Sequence, residues 1–89
     1  MKVKLELFGA SREFSNKDYL EFNIKEIISI KNFRKEIISY LDKKFKGNEN
    51  FKKIVETSAF CSEDNNIIND NYKITKDQKI GIIPPIGGG

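Results

Sequence analysis

The chain has 89 residues, of which 38% are hydrophobic and 33% are charged, and its formal net charge is +3. This length fits one small domain, and the composition is that of a globular protein, which argues against the disordered and fibrous classes. One cysteine and no histidine exclude an internal disulfide and the usual zinc-ligand sets.

The distribution of charge and hydrophobicity narrows the range of partners. Lysines are interleaved with acidic residues and form no basic stripe, so we expect no nucleic-acid binding. No segment approaches the ~20 apolar residues of a membrane span. The first residues, "MKVKLELF", alternate instead of forming the apolar core of a secretory signal. We therefore expect a cytoplasmic protein with no membrane contact and no bound metal.

Two strands are predicted at the start of the chain. Charged and apolar residues alternate from Lys2 to Phe8 and again from Tyr19 to Lys25, which is the pattern of half-buried strands. The intervening segment "GASREFSNKD" is predicted to be a loop. Together these segments indicate a hairpin with a wide connection.

A main helix is predicted next. Ser29 is suited to be its N-cap, because a serine hydroxyl can accept from an amide of the first turn. Gly47 can take the left-handed conformation that ends helices. Between them, the apolar residues recur at helical spacing and are expected in the core: Ile30, Phe33, Ile37, Ile38, Leu41 and Phe45.

The second half of the chain is predicted to hold shorter elements. "NFKKIVET" (50–57) indicates a short helix and "SAFCSE" (58–63) a short strand. The polar stretch after it is rich in turn-forming residues, with a short strand predicted at Ile67 and Ile68. The last strand, "KIGII" (79–83), is expected to stop at Pro84, because proline has no amide to donate to a sheet ladder.

This element order predicts an α+β fold, a roll in which one main helix packs across one face of a mixed sheet of four to five strands. The helical crossover makes the first and last strands the natural central pair, running parallel. Residues 1–89 are expected to form a single domain, with 84–89 as a protruding, flexible tail.

Strand alternation also predicts an exposed apolar patch near the tail. If Ala59 and Cys61 face the core, Phe60 faces outward, and Cys61 is then a small buried hydrophobe. By the same alternation, Phe8 turns outward after the first strand and Ile83 lies on the open face. The predicted patch comprises Phe8, Phe60, Ile83 and Ile86. Such patches usually mark partner surfaces; the alternative is that some of these side chains cap the edge of the core.

The tail "PPIGGG" has the features of a segment that could enter the active site of a partner. Glycines have no side chain to clash in a narrow channel, and Pro84 and Pro85 favour an extended path away from the sheet. A carboxylate at Gly89 is a poor electrophile, so a partner would have to activate it, typically with ATP to give an acyl adenylate. A frayed end or an added segment would explain the glycines but not the prolines before them.

Several of these residues match sequence features of a known protein family. Pro84, Pro85, Gly88 and Gly89 match a Pro-Pro-x-x-Gly-Gly tail, and the first strand ends in Phe8 and is followed by an Arg12-Glu13 pair. The chain is thereby similar, over nearly its whole length, to the ubiquitin-like sulfur carriers of the MoaD/ThiS family, and most of all to the molybdopterin synthase small subunit. The resemblance implies the β-grasp (ubiquitin-like) fold.

The resemblance also implies a function in which the carrier has no catalytic site of its own. A ubiquitin-activating-like adenylyltransferase (MoeB/ThiF type) would use ATP to adenylate Gly89, and sulfur from a persulfide would convert it to a thiocarboxylate. Gly88 and Gly87 would provide clearance. The tail would then enter the large subunit of molybdopterin synthase (MoaE type) and donate its sulfur to the pterin precursor of the molybdenum or tungsten cofactor. The carrier itself would bind no cofactor.

Three alternatives stay open. The chain could carry sulfur for thiazole (thiamine) or another sulfur-containing product. It could be a ubiquitin-like modifier that is attached to lysines through Gly89. It could also be a non-catalytic β-grasp interaction module, in which case deletion of Gly88 and Gly89 would leave its function unchanged.

Overall fold

The computed structural model describes residues 1–86, so the predicted tail residues Gly87, Gly88 and Gly89 lie outside the described part of the chain. The α-helices are α1 (Ile30–Phe45) and α2 (Glu49–Thr57), and a 3-10 helix spans Gly9–Phe14. The strands are β1 (Lys2–Leu7), β2 (Tyr19–Asn23), β3 (Ile28–Ser29), β4 (Ala59–Cys61), β5 (Ile67–Ile68), β6 (Lys73–Ile74) and β7 (Gln78–Ile83).

The main sheet has five strands in the order β2-β1-β7-β4-β5. β1 and β7 are parallel neighbours, while β1 with β2, β4 with β7 and β4 with β5 pair antiparallel. The predicted parallel pairing of the first and last strands is therefore confirmed. With α1 packed across one face, this arrangement is the β-grasp fold.

Helix α1 is bounded by the signals that its sequence contains. The Ser29 hydroxyl accepts from the Asn32 amide at 3.2 Å, as predicted for an N-cap. At the other end, Lys46 and Gly47 have φ values of 55° and 73°. The Gly47 amide donates to the Asp42 carbonyl at 3.0 Å, which closes the helix.

The core lies between α1 and one face of the sheet. Its helical side consists of Ile30, Phe33, Ile37 and Leu41, with Ile38 and Phe45 partly buried. The sheet contributes Val3, Leu5, Leu7, Leu20, Phe60, Ile80 and Ile82. In β1 and β7 these residues alternate with residues on the other face, as the sequence predicts.

One arginine joins α1 to the second half of the chain. The Arg34 guanidinium donates to the Val55 and Ser58 carbonyls, both at 2.7 Å, and to the Asp70 carboxylate at 2.8 Å. It also lies over the Phe60 ring, 4.7 Å from the centroid. Arg34 thus sets where β4 begins relative to α1.

Two parts of the fold differ from the predictions. The segment predicted as a loop after β1 contains the 3-10 helix, whose Ser11 and Phe14 are fully buried. A ribbon of β3 and β6, each two residues long, forms a second sheet. Strands this short have no alternation that a sequence pattern could reveal.

No helix within residues 1–86 has the length and apolar character needed to cross a bilayer. In the same part of the chain, no group of three or more Cys, Asp or Glu side chains is placed to hold a metal ion.

Candidate functional site: the open face of the sheet and the root of the tail

The face of the sheet opposite α1 is uncovered, and strand pairing orders its residues in rows. One row runs across the sheet through Glu6, Gly81, Cys61 and Ile67. In the next row, closer to the tail, Ile83 pairs with Ala59. In these two rows the open face therefore changes from charged on β1 to apolar on β7, β4 and β5.

The predicted exposure of Phe60 is wrong. Phe60 is fully buried in the core, where it pairs with Ile82 across β4 and β7, and Ala59 is exposed instead. Cys61 is buried, as predicted, but its side chain lies on the open face and not in the core. Phe60 therefore cannot contact a partner in the folded domain.

The other members of the predicted patch are exposed, as predicted. Phe8 is 38% exposed and Ile83 is 36% exposed, and Ile86 is fully exposed. Ile67, which was predicted to lie in a short strand but not in the patch, is 69% exposed. Its place on the open face follows from its pairing with Cys61. The open-face patch is defined here as Phe8, Ala59, Cys61, Ile67 and Ile83, and Ile86 follows it along the chain.

Gly81 makes room for the centre of this patch. A Cβ atom at Gly81 would lie 2.6 Å from the Cys61 Sγ atom and 3.0 Å from Cε2 of Phe8. Both distances are shorter than a van der Waals contact, so the Phe8 ring and the Cys61 thiol each lie against a position that must lack a side chain. Cys61 is only 8% exposed.

The backbone of Phe8 is held by a buried hydroxyl. The Phe8 amide donates to Ser11 Oγ at 3.0 Å, and the Ser11 hydroxyl donates to the Phe8 carbonyl at 2.6 Å. The Ser11 amide also donates to that carbonyl, at 3.2 Å. These bonds fix the first turn of the 3-10 helix at the carboxyl end of β1.

The same segment contacts the residue at which the chain leaves β7. Pro84 is buried, while Pro85 and Ile86 are exposed. A Cβ atom at Gly9, whose φ is +55°, would lie 3.8 Å from Cδ of Pro84. The predicted stalk of two prolines is thus divided: Pro84 is anchored on the domain, whereas Pro85 is exposed.

The rest of the open face is polar. On β1, Lys4 and Glu6 pair with Glu21 and Tyr19 of β2. The Lys4 ammonium lies 4.2 Å from the centroid of the Tyr19 ring, and Lys79 Nζ lies 3.8 Å from a Glu6 carboxylate oxygen. These exposed pairs border the open-face patch on one side.

Two solved structures have similar folds. One, from Pyrococcus furiosus and provisionally assigned as molybdopterin converting factor, subunit 1, superimposes with a TM-score of 0.67 at 18% identity, covering 96% of this chain and 98% of that one. The crystal structure of SAMP1 from Haloferax volcanii superimposes with a TM-score of 0.68 at 8% identity, over 100% of both chains. At identities this low, the superpositions establish a shared fold alone. The β-grasp fold implied by the resemblance is thereby confirmed.

No protein-family profile matches the sequence. No curated protein matches it either.

Proposed function

We propose that the chain is a sulfur carrier whose terminal group is the carboxylate of Gly89. In this proposal the carboxylate is adenylated, converted to a thiocarboxylate and used as a sulfur donor in molybdopterin synthesis, with the chain acting as the small subunit of molybdopterin synthase. The observation that carries the proposal is that β7 runs beside an exposed apolar patch and ends directly before Pro84 and Pro85, which the terminal glycines follow in the sequence.

The chemistry needs only the carboxylate from this chain. Attack of the carboxylate on the α-phosphate of ATP releases pyrophosphate and leaves an acyl adenylate. A persulfide then displaces AMP and forms an acyl disulfide, and a thiol reductant cleaves the S–S bond to release the thiocarboxylate. Glycine suits this position because an enzyme can close tightly around a backbone without side chains.

The open-face patch supports the proposal because a carrier must be recognised by more than one protein. Contiguous exposed apolar residues mark such surfaces, and aromatic side chains such as Phe8 are enriched in them. The proposed partners are an adenylyltransferase of the MoeB/ThiF type and a large subunit of the MoaE type. The likeness to the structure provisionally assigned as a molybdopterin converting factor subunit favours molybdopterin over thiazole as the product.

The experiment is intact-mass spectrometry after incubation with a candidate activating enzyme, ATP, a persulfide donor and a thiol. The mass of the untreated protein also checks that Gly89 carries the free carboxylate. We expect a mass gain that corresponds to replacement of one oxygen by sulfur. The matched control lacks Gly88 and Gly89 and should gain nothing, and circular dichroism checks that it is folded.

Absence of adenylation and of sulfur uptake, with an enzyme that activates another carrier, would contradict the proposal and favour the interaction module. A stable bond between Gly89 and a lysine of another protein would favour the modifier instead. Once the thiocarboxylate is obtained, addition of the large subunit and the pterin precursor tests the product.

A further inference from the structure

We propose that Ser11 is a positioning residue for the tail. Its hydrogen bonds hold Phe8 and Gly9 against β7 and Pro84, and so set the point and direction in which the chain leaves the domain. This inference rests on the proposed function, since it concerns the delivery of the Gly89 carboxylate.

Ser11 can act only through its neighbours, because it is fully buried and cannot touch a partner. Its hydroxyl both accepts from the Phe8 amide and donates to the Phe8 carbonyl. Two opposed bonds between one side chain and one residue restrict both the position and the orientation of that peptide segment. The role of the hydroxyl is therefore local to Phe8 and Gly9.

Phe8 transmits this restraint to β7. Its Cε2 and Cδ2 atoms lie 3.0 and 3.7 Å from the place of a Cβ atom on Gly81, so the ring rests directly on the backbone of the strand. Gly81 precedes Pro84 by three residues. The ring thus covers the strand shortly before the tail begins.

Gly9 supplies the second contact. Its left-handed conformation (φ +55°) brings the backbone close to Pro84, whose Cδ atom is 3.8 Å from the place of a Gly9 Cβ atom. Pro84 is buried although its neighbours Pro85 and Ile86 are exposed. Pro84, the last buried residue within 1–86, is therefore held by the segment that Ser11 fixes.

The direction at this anchor matters because Gly89 follows Pro84 by only five residues. Reacting atoms must come within roughly 3–3.5 Å of each other, and a misplacement of about 1 Å can lower a rate about a hundredfold. Loosening the root would spread the positions of the carboxylate without removing any group that a partner contacts.

The test compares Ser11→Ala with Ser58→Ala. Ser58 is the matched control because it is also a buried serine, its hydroxyl donates to the Ile54 carbonyl at the end of α2, and it lies in neither the patch nor the tail root. Adenylation by the activating enzyme is followed as ATP–pyrophosphate exchange, with kcat and KM determined separately. We expect Ser11→Ala to lower kcat about tenfold and to raise KM by a smaller factor, because every docking side chain is still present and only the hold on Phe8 is weakened. Ser58→Ala should leave both unchanged.

A second readout does not depend on activity. In methyl NMR spectra, Ser11→Ala should shift and broaden the Ile83 and Ile86 signals and leave the distant Ile27 signal in place. If Ser11→Ala fails to fold by circular dichroism, Pro84→Ala takes its place, since it removes the same anchor at the end of the last strand.

Three outcomes would overturn the inference. Equal kcat values for the Ser11 and Ser58 variants would show that the hydroxyl does not position the tail, and so would unchanged Ile83 and Ile86 signals. A wild-type chain that is never adenylated would remove the proposed function and this role together. If the wild type gains sulfur and both serine variants are adenylated as fast as the wild type, the proposed function is retained and the role of Ser11 is rejected.

Discussion

The helix-covered face and the open face of the sheet belong to the same strands but carry very different side chains. On the covered face, large apolar residues such as Phe60 and Ile82 are fully buried. On the open face, charged residues on β1, on β2 and at the start of β7 give way to apolar residues on β4, on β5 and at the end of β7. The stability of the fold therefore depends mainly on the helix-covered face. The side chains of the open face can instead be selected for contact with a partner.

The position of the apolar half of the open face is informative. It lies beside Pro84, at the carboxyl end of β7, and not at the other end of β1, where the chain passes Ile24 and Ile27. A surface that served solubility alone would have no reason to expose Ile83 next to the root of the tail, or Ile67 on the same half of the face. The contrast between the faces thus points to a partner that holds the domain while it receives the tail.

The comparison of the two faces is tested most strongly by substituting Ile82 and Ile83, neighbouring residues of β7 that lie on opposite faces. The largest change in the free energy of unfolding is expected here. Ile82→Ala should lower the free energy of unfolding by about 2–5 kcal/mol, because it opens a cavity in a filled core. Ile83→Ala should cost much less, since Ile83 is already 36% exposed. Urea denaturation of both variants measures the difference. Equal losses would mean that the two faces contribute alike and would contradict the distinction.

A somewhat smaller effect is expected at Arg34, which links α1 to the start of β4. Arg34→Ala should destabilise the fold by about 2–3 kcal/mol, because two backbone carbonyls lose a charged donor and Phe60 loses the guanidinium over its ring. The control is Asp70→Asn, which removes only the ion pair to a half-exposed carboxylate and should cost less than about 1 kcal/mol. Thermal unfolding that ranks Asp70→Asn as the more damaging change would contradict this role.

Much of the fold could be predicted, because β1, α1 and β7 are long enough for their periodicity to specify both element and buried face. Phe60 shows where this fails. All three residues of β4 (Ala59–Cys61) are apolar, so alternation cannot decide which of them faces the core. The choice depends on the pairing with β7 and on Arg34, which is distant in sequence.

The candidate site could be predicted in part for the same reason. Phe8 and Ile83 follow from the alternation of long strands, whereas Ile67 lies in a two-residue strand and is placed by pairing alone. The burial of Pro84 depends on the left-handed Gly9 and on the bonds of Ser11, and no local pattern around Pro84 indicates either of them. The roles of Gly87, Gly88 and Gly89 stay predictions.

The open-face patch itself is tested by Ile83→Asp, which places a charge among Ala59, Cys61 and Phe8. We expect the dissociation constant for the large subunit to rise about 10- to 100-fold, or about 1.4–2.7 kcal/mol, because a buried interface charge without a partner is costly. Isothermal titration calorimetry measures binding, and circular dichroism checks the fold.

The matched control for Ile83→Asp is Ile27→Asp. Ile27 is also an exposed isoleucine, but it follows the end of the β1–β2 pair that lies away from the tail. Its substitution should leave binding unchanged. If both variants bind equally well, or if Ile83→Asp unfolds the domain, the patch is not the docking surface proposed here.

The smallest effect is expected on the charged half of the open face, where Glu6 and Lys79 form an exposed pair at 3.8 Å. Glu6→Gln should change the free energy of unfolding by less than about 0.5 kcal/mol, because water and salt screen such pairs. Urea denaturation at low and high salt measures this directly. Since Glu6 borders Gly81, a loss of more than about 1 kcal/mol, well above the range for exposed pairs, would mean that the charged border helps to hold the Phe8 contact. The open face would then contribute to the fold as well as to binding, and the division between the two faces would be less sharp than their burial indicates.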